Sequence, residues 1–155
     1  MVTSRSSTDL RLGIWAIDSG VFHNYCNDFT EFKKDLITEA NMTIKLGDMN
    51  EVHARKKGMV QLNGVCIKAF FVPEFQISLL SVGWLDSKGL TAIFKVRMCT
   101  IIDQYGNNPL SATLDRGLYI LPRLGFAHTS STATPPKHRF VHTSCKSDSI
   151  ELWQW

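Results

Sequence analysis

No Cys-x-x-Cys pair occurs in this chain; Cys26, Cys66, Cys99 and Cys145 stand far apart. That spacing reads as scattered reduced thiols in a cytosolic or nuclear protein, not as a disulfide framework. Core packing is the expectation for Cys66 and Cys99. No apolar run approaches the roughly 18 residues of a membrane span. The polar start, Met1 to Asp9, has no signal-peptide core. No membrane partner is therefore expected, and the localisation expected is cytoplasmic or nuclear, not secreted. Charge of one sign is also scarce: 17 Lys+Arg against 14 Asp+Glu leave +3, with no basic stripe to hold nucleic acid. With 44% hydrophobic and 20% charged residues, global disorder is excluded. The 155 residues suit one domain plus tails.

Short apolar segments punctuated by turns make up most of the chain. Ile14 to Ile17 is too short for a helix and runs into Asp18-Ser19-Gly20, a turn. Met42, Ile44 and Leu46 alternate with polar neighbours, and Gly47-Asp48-Met49-Asn50 supplies the next turn before a strand at Glu51–Arg55. Asn63-Gly64 between Met59–Leu62 and Val65–Val72 predicts a two-residue hairpin, with Val65, Ile67, Ala69 and Phe71 on one face. Leu79 to Leu90 is the one helix expected, capped by Ser78 or Ser81 and closed by Gly89. Strands follow at Thr91–Lys95, Met98–Asp103 and Gly117–Leu121, with a turn at Tyr105 to Pro109. Trp84 and Phe94 read as core and His53 as an exposed strand residue. Together these features predict an all-β fold: a small closed β-barrel over 13–122 with one short helix, a disordered lead-in over 1–12 and a disordered tail over 123–155.

Asp18-Ser19-Gly20 at the end of an apolar strand is the one constellation that carries chemistry. Two such carboxylates facing each other at about 3 Å repel by roughly 5–6 kcal/mol at an effective dielectric near 20. That is about four pKa units, so the pair keeps one proton over a wide pH range. The ionised member takes a proton from water while the protonated one polarises a scissile carbonyl. In an arbitrary protein the same tripeptide is a surface turn.

The surroundings shift that weighting. Trp15-Ala16-Ile17-Asp18-Ser19-Gly20, His23, Cys26-Asn27-Asp28 and Phe32 resemble the start of the protease region of copia-type retrotransposon Pol polyproteins. So do Ile44 to Asp48 with Val52-His53 and Gly58, Phe71-Val72-Pro73, Leu79-Leu80-Ser81-Val82, and Gly117-Leu118-Tyr119. The resemblance implies a retropepsin-like β-barrel that cleaves a Gag–Pol polyprotein. Asp18 would be the catalytic acid/base, Ser19 its hydrogen-bonded support and Gly20 the turn residue. Gly47, Asp48, Met49 and Asn50 would form a substrate-covering flap. One Asp-Ser-Gly per chain implies a symmetric homodimer, expected to cover the strand end near Ile17.

Several positions depart from the family pattern. Val21 and Phe22 stand where the family has Ala and then Ser or Thr, Met49 stands at a flap glycine, and Ser78 at an Asn. If Val21 or Phe22 fills the floor of the site, weak or absent dimerisation and little or no protease activity follow. The alternative is then a non-catalytic β-barrel relic serving protein interaction or dimerisation. In the tail, His138, His142 and Cys145 have ligand-like spacing, but the Thr/Ser/Pro run reads as a solvated linker. Leu152-Trp153-Gln154-Trp155 resembles the truncated start of a pre-integrase segment, with Gln154 where its His belongs. No metal and no cofactor are expected.

Overall fold

The computed structural model describes residues 12–122. The expectations for the lead-in up to residue 11 and for the tail from 123, including His138, His142 and Cys145, lie outside the described residues. No helix among those described is long and apolar enough to cross a membrane.

Ten strands form one sheet: β1 (Trp15–Asp18), β2 (Asn24–Cys26), β3 (Thr38–Lys45), β4 (Glu51–Leu62), β5 (Val65–Phe71), β6 (Ser78–Ser81), β7 (Thr91–Lys95), β8 (Met98–Ile102), β9 (Leu110–Asp115) and β10 (Leu118–Leu121). A single helix, α1, spans Val82–Ser87. The strand order is β3-β4-β5-β2-β6-β1-β10-β9-β8-β7. The sheet curls, because residues from both halves meet in one core: Val60 and Ile67 pack in the same cluster as Cys99, Ile101 and Leu110. It does not close. The barrel expected from the sequence is corrected to an open, mostly β sheet with free edges at β3 and β7. Closure needs hydrogen bonds between the first and last strands. Here β3 instead lies over a second apolar cluster of Tyr25, Ala54, Phe70 and Val72, while β7 packs on α1.

Local chemistry explains most elements. Asn63 and Gly64 have φ of 48° and 83° and join Leu62 to Val65 in register, the left-handed pair that a tight hairpin demands. On β5, Ile67 and Ala69 are buried and Val65 and Phe71 pack beside them, as the alternation requires. Trp84 is buried and His53 exposed. The helix is shorter than its sequence signals. Leu79 and Leu80 are drawn into strand β6 opposite Ala16 and Ile17, so α1 begins only after Ser81. The Ser81 hydroxyl accepts from Trp84 N at 3.1 Å and caps it, and Gly89 closes it at φ 75°.

Strands β2 and β9 carried no clear signal. β2 has three residues, and β9 follows directly on the turn that had been assigned between its neighbours. Ile17 is not at an edge: β1 is paired on both sides, by β6 in parallel and β10 antiparallel. Phe94, expected in the core, is 46% exposed. Cys26 and Cys99 are free and buried. Cys66 is half-buried and disulfide-bonded, so the expectation of reduced thiols fails there.

Candidate active site

β1 delivers Asp18 from the middle of the sheet. Trp15, Ala16 and Ile17 are buried, Asp18 is half-buried, and Ser19 and Gly20 are exposed. Gly20 N donates to Asp18 Oδ1 at 2.7 Å, an Asx turn that aims the carboxylate. A Cβ at Gly20 would stand 3.2 Å from that oxygen, so a side chain there crowds the acid it positions.

Ser19 makes no hydrogen bond among the described residues. The support comes from Ser81, which lies opposite Asp18 in the parallel pairing. Its hydroxyl donates to Val21 O at 2.6 Å, tying down the loop, while accepting the first turn of α1. Ser81 N in turn donates to Asn24 Oδ1 at 2.8 Å, and Asn24 Nδ2 donates to Lys68 O at 2.9 Å. Asn27 forms a second clamp: it exchanges hydrogen bonds with the Ser78 hydroxyl at 3.0 Å and donates to Phe75 O at 3.0 Å. Asn24, Asn27, Ser78 and Ser81 are the buried polar side chains of the described chain. They replace a ladder, because β2 and β6 are in register only at Tyr25 and Leu79. Buried polar groups need such partners. In the sequence Ser78 and Ser81 stand out as candidate caps, Ser78 also as a departure from the family pattern and Ser81 within a stretch that resembles it.

The expected flap is the β3–β4 turn. Leu46 N donates to Asn50 O at 2.8 Å, and the Asp48 carboxylate accepts from Asn50 Nδ2 at 2.7 Å. Those Asn50 bonds hold the Asp48 carboxyl below its ordinary value. Met49 sits at φ 69° and is 95% exposed, so this position does ask for glycine. Between β4 and β1 stand three strands, β5, β2 and β6. No hydrogen bond among the described residues joins Gly47–Asn50 to Asp18. What the two regions share is apolar: Val21 from the Asp18 loop and Ala40, Met42, Ile44 and Val52 from the hairpin pack on one cluster. Phe22 does not enter it; its ring is 89% exposed.

Other titratable groups nearby are structural. His23 stacks edge-on against Phe70 at 5.4 Å, and burial lowers its pKa. Burial, reinforced by Glu31, pushes the Cys26 thiol up to about 12, so it stays protonated and is no nucleophile. Burial pushes Cys99 up to about 11. Among the described residues, no group of three or more His, Cys, Asp or Glu is placed to hold a metal ion. Asp18 is thus the carboxylate with a built position at the end of a central strand.

Residues 15–90 match the family described as Pol polyprotein, beta-barrel domain. The match runs from β1 to the residue after Gly89 and includes the Asp18 loop, the β3–β4 hairpin and α1. The likeness is to a Pol polyprotein domain and spans just under half of the chain. No curated protein matches the chain.

Proposed function

We propose that this is the copia-type, retropepsin-like domain of a retrotransposon Pol polyprotein, an aspartic endopeptidase in which Asp18 supplies the catalytic carboxylate. The observation that carries the reading is Asp18 itself: a half-exposed acid at the end of a buried central strand, oriented at 2.7 Å by Gly20 N. One chain holds one such loop. Catalysis then needs two copies, so that one ionised and one protonated Asp18 face the scissile carbonyl. The substrate class is a polyprotein or peptide strand, covered by the Gly47–Asn50 hairpin.

Phe22 favours a second reading. A ring 89% exposed two residues beyond Gly20 gives the loop an apolar surface, which suits a non-catalytic interaction module. Incubation of the whole chain and of Asp18→Asn with a Gag–Pol junction peptide separates the two. Cleavage by the parent protein alone supports the endopeptidase. Equal cleavage by both, or by neither at any concentration, removes Asp18 chemistry.

A further inference from the structure

The sheet has two open edges, and they are built differently. Strand β3 is guarded: it carries a register shift between Glu39 and Met42, and its exposed side chains are Thr38, Glu39, Asn41, Thr43 and Lys45. Bulges and charges are how edge strands avoid pairing. Strand β7 has neither safeguard along its length. It runs in unbroken register with β8 from Thr91 to Lys95, and Ile93 and Phe94 are 43% and 46% exposed. Its single charge, Lys95, is at the end.

The register says which backbone groups point outward. Val96 and Arg97 have φ of 47° and 61°, a two-residue turn of the type I′ kind, so its closing pair Lys95–Met98 is hydrogen-bonded. Alternation then turns Ile93 and Thr91 toward β8, and the amide and carbonyl groups of Ala92 and Phe94 away from the sheet. No described strand meets them there.

From this symmetry we infer that β7 is a self-pairing edge, and that a second copy of this chain adds to it antiparallel about a two-fold axis at Ile93. Ala92 then faces the partner copy's Phe94, and the reverse, giving four backbone hydrogen bonds in two pairs. The two Ile93 side chains meet at a non-hydrogen-bonded position, where Cβ atoms approach closest. Phe94, held edge-on to Tyr119 at 4.9 Å, lies across from the small Ala92. Each Lys95 faces a Thr91, so no like charges are opposed. The pairing is isologous and closes at two copies. It does not rest on the protease reading, since no group of the Asp18 loop takes part.

Sedimentation velocity on the whole chain at micromolar concentration tests this. Ala92→Pro removes an N–H that the monomer does not use for its own ladder, so the fold survives as proline on an edge strand does. Two symmetry-related hydrogen bonds are lost, and association is expected to weaken on the order of tenfold or more. Ile93→Cys is expected to form a disulfide-linked dimer on mild oxidation, and Lys95→Cys is not. Asp18→Asn leaves association unchanged, which separates this interface from the active-site reading. A parent protein that stays monomeric, or a dimer indifferent to Ala92→Pro that Ile93→Cys does not crosslink, would overturn the inference.

Discussion

Met49 and Val96 are where individual residues pay most visibly for the turns they occupy. Both hold positive φ, 69° and 47°, and both are largely exposed, so neither gains packing in return. A left-handed non-glycine residue costs roughly 1–2 kcal/mol, partly offset in any glycine variant by the greater freedom of the unfolded chain. Met49→Gly is expected to stabilise the protein by roughly 0.5–1 kcal/mol, seen as a higher urea midpoint with an unchanged slope. No change, or a loss, would mean that the Met49 side chain makes a contact at the hairpin tip that its exposure hides. The departure at Met49 was visible in the sequence as a missing glycine; the φ shows that the turn kept its shape without it.

Between strand and helix, Ser81 serves both. It ends β6 opposite Asp18, caps α1 and holds Val21 O, so one hydroxyl links the acid-bearing loop to the helix. Ser81→Ala removes the cap, worth typically about 1 kcal/mol, and leaves the loop carbonyl without that donor. A loss of roughly 1–3 kcal/mol is expected, together with faster exchange of the Trp84 amide, which donates to the Ser81 hydroxyl. Unchanged exchange at Trp84 would show that the helix start is held by something other than Ser81. The sequence pointed to a helix from Leu79 because Leu80, Val82 and Leu85 fall at near-helical spacing. It could not show that Leu79 and Leu80 are needed as strand residues beside Ala16 and Ile17, since that partner lies more than sixty residues earlier in the chain.

At the scale of the molecule, the family match stops at residue 90 while the core does not. Cys99, Ile101, Leu110, Ala112 and Leu121 complete the cluster around Trp15 and Ile17, and β10 pairs along β1 itself. Without residues 91–122, the strand that carries Asp18 becomes an edge and loses one wall of its core. A fragment spanning 12–90 is therefore expected to show no cooperative thermal transition, whereas 12–122 melts as a unit. A sharp transition in the shorter fragment would show that the β7–β10 meander is an accessory layer.

The chain's local grammar was readable by itself. Alternation placed the faces of β5, Asn63-Gly64 placed its hairpin, and an apolar strand running into Asp18-Ser19-Gly20 placed the candidate acid, because each depends on neighbours a few residues apart. Tertiary structure alone decided what depends on distant segments. Strand β2, with three residues and no alternation, is held by Asn24 and Asn27 reaching Ser81, Ser78 and the carbonyls of Lys68 and Phe75. The sheet stays open because β3 and β7 do not pair: β3 lies over the cluster of Tyr25 and Phe70, and β7 lies beside α1 with its outer edge free among the described residues. Which edges a sheet leaves unpaired is a property of all ten strands at once, and no stretch of sequence contains it.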